Sequence, residues 1–213
     1  ELKNRNFDIE KNTIIPFIKS IGINKIDYLF LTHGDADHCG NSKSLIDNFN
    51  VKKIYLNKGK INNCEKKANG NILYEDYLKI DNVIVHSLNN GNYNDENSLS
   101  MVLLLLIDNY KILLMGDAPK SVEEQIIKKN NLNNIDLLKV GHHGSNTSSS
   151  KNFIGHIKPK YSIISVGENN KFGHPKESVL NNLDDSKIYR TDEDGSIMFK
   201  IKKNKLKIET RSP

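Results

Sequence analysis

The chain has 213 residues, of which 37% are apolar and 27% are charged. This composition is rich enough in apolar residues for a packed core, so it excludes a wholly disordered chain. The net charge of +5 is compatible with a phosphate-bearing partner but does not require one. No apolar run approaches the roughly 20 residues of a membrane-spanning helix. The two cysteines permit at most one disulfide, and the polar start at 1–6 has no signal-peptide pattern.

Apolar periodicity predicts alternating helices and strands in the first half of the chain. Apolar residues on one face predict a helix over 13–21, which Gly22 ends. The apolar run Lys25–Leu31 predicts a buried strand that leads directly into a polar segment. The elements that follow are a short helix over 41–49, a short strand over 53–56, an unclear Lys- and Asn-rich stretch over 57–82 that we interpret as a helix with long loops, and a strand over 83–88.

The second half combines a hairpin pattern with further strand and helix alternation. After a polar loop at 89–97, two strands at 99–107 and 110–115 are joined by Asp108-Asn109, which is typical of a tight hairpin. The remaining elements are helices over 119–129, 150–157 and 175–183 and strands over 136–140, 161–166, 187–191, 196–202 and 205–209. Strands mixed with helices and hairpins predict an α/β layered fold, and no linker suggests a domain boundary.

The strongest chemical signal is the segment from His33 to His38, directly after a predicted strand. His33 and Asp35 are two residues apart and point the same way in extended backbone, whereas the adjacent Asp37 and His38 diverge. The loop can therefore serve two neighbouring metal ions, with Asp117 from another strand end as a bridging ligand. The alternative is a polar loop that caps a helix. Four potential ligands within six residues favour the metal site.

The second signal is Gly141-His142-His143-Gly144-Ser145, which also follows a predicted strand. The glycines allow a tight bend, and exposed backbone N–H groups at Gly144 and Ser145 can hold a phosphate oxygen. Either His142 or His143 can complete the metal site or act as a general acid. The alternative is a loop with incidental histidines. The presence of the His33–His38 segment favours the functional interpretation over this alternative.

The third signal is the segment 171–175, Lys-Phe-Gly-His-Pro. Pro175 restrains the loop, so His174 can be a metal ligand or can contact the substrate, in preference to being a surface histidine. The other candidates we interpret as structural or solvated: His86 and His156 in regular elements, Cys39 as a small buried thiol, and Lys139 and Lys176 as surface lysines.

Together these segments resemble the metallo-β-lactamase superfamily, and more closely the hydrolase domain of ComEC-type competence proteins, which act in DNA uptake. The stretches that carry the resemblance are Leu31–Gly40, Leu114–Asp117, Leu138–Ser145 and Ser165–Pro175, with weaker support from Tyr189–Asp192 and Gly195. The resemblance extends over nearly the whole chain. It implies a single hydrolase domain over 1–213 with an αββα sandwich fold and a metal site at one edge of the sheets.

Three departures from the family pattern qualify what the resemblance implies. The family opens with strands that this chain lacks, so the resemblance implies an N-terminally incomplete domain. Asp35 stands where most of the superfamily has histidine, although the competence branch has aspartate there. The next family histidine is absent from 95–98, where Asn97 is the candidate substitute through its carbonyl oxygen.

The donor set predicts one or two divalent ions, Zn²⁺ or Mn²⁺. The metal ligands are predicted to be His33, Asp35, Asp37, His38, Asp117 and His142. Carboxylate-rich sites suit harder ions than imidazole-rich sites, so we expect Zn²⁺ to bind and Mn²⁺ to support better activity.

The predicted function is a metal-dependent hydrolase, above all a phosphodiesterase or DNA nuclease, in which a metal-bound hydroxide attacks phosphorus. Asp37 would orient that hydroxide, and His143 or His174 would steady the phosphate or protonate the leaving oxygen. One alternative is a hydrolase of lactams, lactones or thioesters on the same site, and another is a non-catalytic DNA- or partner-binding module. The expected location is the cytoplasm by default, or outside it if the chain is a fragment of a membrane DNA-uptake protein.

Overall fold

The computed structural model describes residues 10–211, which form two compact units. Of the described residues, the first unit comprises 10–74 and 91–101, and the second comprises 75–90 and 102–211. The polar start that lacks a signal-peptide pattern lies outside the described residues. The assignment of 1–213 to one hydrolase domain stays a prediction.

The first unit is built on a small parallel sheet. Its strands are β1 (Lys25–Leu31), β2 (Asn50–Leu56) and β3 (Asn71–Ile72), paired in the order β1-β2-β3. Its helical elements are a π-helical turn (Glu10–Ile14), α1 (Ile15–Ser20), α2 (Ala36–Cys39), α3 (Ser42–Asn48), α4 (Asn63–Ala68) and a 3₁₀ turn (Asn97–Leu99). Because β1 ends at Leu31, which is buried in a hydrophobic cluster, the chain enters the His33 segment from a fixed point.

The second unit is built on a seven-stranded mixed sheet and a separate hairpin. Its strands are β4 (Tyr77–Ile80), β5 (Val83–Ser87), β6 (Leu103–Ile107), β7 (Tyr110–Leu114), β8 (Leu137–Lys139), β9 (Tyr161–Ile164), β10 (Lys187–Arg190), β11 (Ser196–Lys202) and β12 (Lys205–Arg211). The sheet order is β10-β9-β8-β7-β6-β5-β4, antiparallel from β4 to β7 and parallel from β7 to β10, while β11 and β12 pair with each other. Its helices are α5 (Lys120–Lys129), α6 (Lys151–Ile157), α7 (Glu177–Asn182) and α8 (Thr191–Asp194).

Three neighbouring inner strands of this sheet, β7, β8 and β9, fix where its functional loops emerge. Leu113 of β7, Leu138 of β8 and Ile164 of β9 are each fully buried, as expected for strands covered on both faces. These strands are parallel neighbours, so their carboxyl ends lie at one edge of the sheet. The loops that carry Asp117, the histidine pair and His174 all leave from that edge.

The predicted mixed α/β fold is confirmed, and the element boundaries differ where local chemistry intervenes. The hairpin at Asp108-Asn109 is present, with Asp108 in the left-handed region (φ 52°) that a two-residue turn needs. The strand predicted over 99–107 begins only at Leu103, because residues 97–99 form the 3₁₀ turn. The unclear stretch 57–82 contains α4, β3 and β4. Within residues 10–211, every helix is too short or too polar to cross a bilayer.

Candidate metal centre

Two histidines after β1 share one hydroxyl group. Thr32 Oγ1 lies 3.1 Å from His33 Nδ1 and 3.2 Å from His38 Nδ1, and the two ring centroids are 4.2 Å apart. Ser100 Oγ also lies 3.2 Å from His33 Nδ1. Hydrogen bonds at Nδ1 fix the orientation of each ring and direct Nε2 to the ligand side, which is how metal-binding histidines are commonly held.

Each of these rings has a carboxylate beside its Nε2 atom. Asp35 Oδ2 lies 3.5 Å from His33 Nε2, and Asp37 Oδ2 lies 3.9 Å from His38 Nε2. His33 is fully buried, whereas both carboxylates are exposed or partly exposed. The loop therefore presents two imidazole–carboxylate pairs, and their assignment to two separate ions stays a prediction.

The backbone of Gly34 is held by two side chains that are distant in sequence. Asn62 Nδ2 donates to Gly34 O at 2.7 Å, and Gly34 N–H donates to Glu96 Oε2 at 3.1 Å. Asn62 Nδ2 also donates to Glu96 Oε1 at 3.3 Å, which joins the two partners. A Cβ at Gly34 would collide with Asn62 Nδ2, so only glycine fits here. We call Gly34, Asn62 and Glu96 the Gly34 clamp.

A buried carboxylate supports the Gly34 clamp from within the first unit. Glu65 Oε2 accepts from Asn62 N–H at 2.9 Å and Oε1 accepts from Asn57 Nδ2 at 2.8 Å. Burial raises the pKa of Glu65 above its usual value, while the backbone hydrogen bond from Asn62 opposes this. Asn62 and Glu65 form a capping box at the start of α4, a pattern that is visible in the sequence and that could have directed attention to this segment.

The prediction that Cys39 is a small buried thiol is wrong. Cys39 is fully buried as expected, but it forms a disulfide with Cys64, with the two Cα atoms 6.0 Å apart. The reason is that α2 and α4 pack against each other, which brings the two cysteines within disulfide range. The bond joins the residue after His38 to the helix whose N-cap is Asn62.

Asn97, the predicted substitute ligand, has a side-chain oxygen that is suited to binding a cation. It lies in the 3₁₀ turn three residues before Ser100, whose hydroxyl contacts His33. Within residues 10–211, its side-chain Oδ1 is buried and has no hydrogen-bond partner. A buried amide oxygen in this condition is costly unless something binds it, and carbonyl oxygens are acceptable ligands of divalent cations.

In the second unit, Asp117 and His142 face each other across two strand ends. Asp117 is 4% exposed, and its Oδ2 lies 3.7 Å from His142 Nε2. His142 Nδ1 lies 3.1 Å from Thr147 Oγ1. The backbone N–H of His142 donates to Gly116 O at 3.1 Å. The ring of His142 therefore lies between Thr147, which contacts Nδ1, and the Asp117 carboxylate, which faces Nε2.

The histidine pair stands in a strained turn. His142 (φ 47°), His143 (φ 54°) and Gly144 (φ 80°) are three consecutive residues in the left-handed region, which is unfavourable for the two histidines. His143 Nδ1–H donates to Ser165 O at 2.7 Å, which fixes the orientation of the ring. Strain of this kind is commonly retained where it positions functional groups.

The two residues predicted to hold phosphate are engaged within the same loop. Gly144 O accepts from Lys176 N–H at 2.9 Å, and a Cβ at Gly144 would lie 2.6 Å from Pro175 Cβ. Ser145 is buried, its N–H donates to His142 O, and its Oγ accepts from Thr147. These contacts stabilise the turn, and a phosphate contact at either residue stays a prediction.

His174 completes the carboxyl edge of the seven-stranded sheet. Its ring centroid is 6.1 Å from that of His142, and within the described residues its buried Nδ1 has no hydrogen-bond partner. Burial lowers the pKa of His174, the positive charge of Lys176 lowers it further, and Asp117 opposes the shift. The imidazole is therefore neutral at pH 7.

Lys139 is less exposed than the surface lysine that the sequence predicted. Burial lowers its pKa below the usual range, and the charge of Asp117 partly restores it. Its Nζ donates to Val140 O at 3.1 Å. The residue lies at the end of β8, where its side chain is half-buried.

The comparisons with known proteins agree with these features. Residues 4–168 match the sequence model of the metallo-beta-lactamase superfamily. The chain belongs to the metallo-beta-lactamase superfamily. The resemblance drawn from the motifs is thereby confirmed.

Two curated relatives of this superfamily member are competence proteins. The chain is 32% identical to ComE operon protein 3 of Bacillus subtilis, over 94% of this chain and 28% of that protein. It is 29% identical to competence protein ComA of Neisseria gonorrhoeae, over 92% of this chain and 28% of that protein. The chain therefore spans little more than a quarter of the length of these relatives.

A solved structure with a similar fold is a mutant of CmlA beta-hydroxylase. It is 10% identical with a TM-score of 0.52, over 78% of this chain and 43% of that one. At this identity the similarity concerns the fold alone.

Both units of the metallo-beta-lactamase chain carry His and Asp residues that could take part in holding a metal ion, which we call the His/Asp set. Its members are Asp37 and His38 after β1, Asp117 after β7, and His143 after β8. This set includes His143, which the sequence predicted as a catalytic residue. It leaves out His142, which the sequence predicted as a ligand. The donor chemistry of carboxylate oxygens and imidazole nitrogens fits a divalent cation.

Proposed function

We propose that the chain is the hydrolase part of a metal-dependent phosphodiesterase, with DNA as its substrate class. The observation that carries the proposal is the set of His and Asp side chains that follow strand ends, in which His38 and His143 each have the orientation of the ring fixed by a hydrogen bond at Nδ1. The competence-protein relatives and the net charge of +5 support a polyanionic substrate.

The proposed ligands are those of the His/Asp set, joined by His33 and Asp35 in a second position that Asn97 completes. A bound divalent cation would supply an activated water and would neutralise charge that develops on the phosphoryl group. Asp37 orients the attacking water and accepts its proton. His174 donates an N–H group to a phosphate oxygen, since its ring lies at the same sheet edge as His142 and Asp117.

The proposed location is outside the cytoplasm. The Cys39–Cys64 disulfide supports this location, because disulfides persist in oxidising compartments and are rare in the cytosol. This replaces the cytoplasmic default that we drew from the sequence.

The test is cleavage by purified protein after chelation and reloading with Mn²⁺ or Zn²⁺. We expect turnover of a phosphodiester reporter and of DNA, and no turnover of lactam, lactone or thioester reporters. Asp37→Ala and His38→Ala should each reduce cleavage by at least about 10³-fold, as loss of a ligand and proton acceptor implies.

The matched controls are residues of the same types that lie on the exposed surface. Asp184→Ala and His156→Ala should cleave at the wild-type rate, and circular dichroism should show that all four variants are folded. Turnover confined to the carbonyl reporters would replace the phosphodiesterase proposal by the carbonyl-hydrolase alternative. DNA binding without cleavage under either metal would favour the non-catalytic alternative.

A further inference from the structure

Phe172 is a large aromatic side chain that stands in the solvent beside the proposed site. It is 59% exposed, although its neighbours in the loop are engaged in hydrogen bonds. Its ring is stacked on the ring of His174, with centroids 5.8 Å apart and an interplanar angle of 16°. A phenylalanine in this position contributes little to the core, and its exposed ring surface can be contacted by a ligand.

The loop that carries Phe172 is held rigidly. Asn170 Nδ2 donates to His174 O at 2.7 Å, and His174 N–H donates to Asn170 Oδ1 at 2.9 Å. Gly173 N–H donates to Asn170 O at 3.2 Å, and Lys176 Nζ donates to Phe172 O at 2.7 Å. The ring is thus presented by a preorganised loop, which reduces the entropy lost when a ligand stacks on it.

The rings of His142, His174 and Phe172 form a series that leads from the sheet edge to the solvent. Their successive centroid separations are 6.1 and 5.8 Å, and His142 lies beside Asp117 of the proposed metal site. We call these three residues the ring series. A planar group stacked on Phe172 would extend this series by one member.

Positive charge accompanies the exposed ring. Lys171 Nζ lies over the ring of Phe172, 4.9 Å from its centroid, so a base that stacks on this face displaces the exposed ammonium group. Lys176 Nζ donates to the carbonyl oxygen of Phe172. Proteins that bind single-stranded nucleic acids use an aromatic face with lysines beside it, since the base stacks on the ring and the phosphates contact the cations. A duplex does not fit as well, because its bases are already stacked and paired.

We propose that Phe172 is a stacking site for an unpaired nucleobase next to the scissile phosphate, which makes single-stranded nucleic acid the substrate form. The part of this inference that concerns cleavage rests on the proposed function, whereas the stacking itself does not. Lys171 and Lys176 contact the phosphates that flank the stacked base.

The test compares binding of a short oligothymidylate with binding of an abasic strand of the same length, both with cleavage-resistant phosphorothioate linkages and in the presence of Mn²⁺. We expect Phe172→Ala to weaken binding of the base-bearing strand about tenfold, in the range of base–aromatic stacking, and to leave the abasic strand unchanged. Phe172→Tyr should bind as the wild type does. Phe172→Leu, which keeps bulk without a ring, should behave as Phe172→Ala does.

The matched control is Tyr77→Ala, which removes a ring that is 60% exposed on β4 of the same unit. It should leave both affinities unchanged. A second measurement places 2-aminopurine in the strand. The fluorescence of this base should be quenched when the strand binds to the wild type, and quenched less when it binds to Phe172→Ala.

Cleavage of the same strands with ordinary phosphodiester linkages separates the two proposals. Base-dependent binding that Phe172→Ala abolishes, without cleavage by the wild type, supports the stacking site and contradicts the nuclease proposal. Cleavage by the wild type with equal affinity for base-bearing and abasic strands overturns the stacking site. Equal effects of Phe172→Ala and Tyr77→Ala overturn it as well.

Discussion

At the scale of single residues, the position of Gly34 depends on hydrogen bonds to the side chains of Asn62 and Glu96. Glu96 accepts from the Gly34 N–H and from Asn62, so its removal leaves two donors without an acceptor. We expect Glu96→Ala to weaken Mn²⁺ binding roughly 10–100-fold, as loss of a group that orients metal ligands commonly does. Isothermal titration of chelated protein measures this.

The Glu96 prediction has a graded variant and a control. Glu96→Gln keeps one acceptor for Gly34 N–H but places an amide N–H₂ against Asn62 Nδ2, so its affinity should lie between those of the wild type and Glu96→Ala. Glu124→Ala removes an exposed carboxylate of α5 and should have no effect. Unchanged affinity in Glu96→Ala would show that the Gly34 clamp does not position the loop.

The sequence predicts the metal-binding residue types but not the groups that hold them. His33, Asp35, Asp37 and His38 are adjacent in one segment, so their spacing alone indicates a site. Asn62 and Glu96 lie 28 and 62 residues from Gly34. Such contacts arise from tertiary structure, and no local pattern marks them. Phe172 was visible in its motif, but only its exposure and its stacking on His174 gave it a role.

At the scale of elements, the Cys39–Cys64 disulfide ties α2 to α4 and closes a loop with a sequence separation of 25. A crosslink of this span stabilises the folded state by roughly 2–4 kcal/mol, mainly because it restricts the unfolded chain. We expect reduction with dithiothreitol, or the substitution Cys64→Ala, to lower Tm by roughly 5–10 °C. Differential scanning calorimetry measures the change.

The control for reduction is the Cys64→Ala variant itself, which has no disulfide to lose. Dithiothreitol should leave its Tm unchanged. If mass spectrometry shows complete reduction of the wild type while its Tm moves by less than about 1 °C, the disulfide does not stabilise the first unit.

Elements with strong periodicity were predicted well, and short polar elements were not. The strands β1, β6 and β7 carry apolar runs, so their existence follows from the sequence. The helix α2 has four residues inside the ligand segment, and β3 has two residues. Neither has a pattern of its own, since α2 is fixed by the disulfide and β3 by pairing with β2.

At the scale of the whole molecule, the proposed ligands lie at 33–38, 117 and 143, more than a hundred residues apart in sequence at the extremes. An ion that binds only the folded state stabilises it in proportion to RT ln(1 + [L]/Kd), about 2.7 kcal/mol at a hundredfold excess over Kd. We therefore expect Mn²⁺ or Zn²⁺ to raise the Tm of chelated protein by roughly 5–10 °C. Asp117→Asn should abolish most of this rise, whereas His156→Ala should retain it.

Zn²⁺ and Mn²⁺ should rank in opposite orders when they are compared by the rise in Tm and by the rate of phosphodiester cleavage. Zn²⁺ binds a given nitrogen and oxygen site more tightly than Mn²⁺, so at equal concentration it should give the larger rise in Tm. Three carboxylates in the proposed ligand set favour a harder ion that exchanges oxygen ligands readily, so phosphodiester cleavage should be faster with Mn²⁺. Thermal shift and cleavage assays on one reloaded preparation test both orders. Cleavage supported by Zn²⁺ alone would contradict the expected preference for Mn²⁺. If Asp117→Asn keeps the full rise in Tm, the proposed ligand set is wrong, because the Asp117 carboxylate would then not contact the ion.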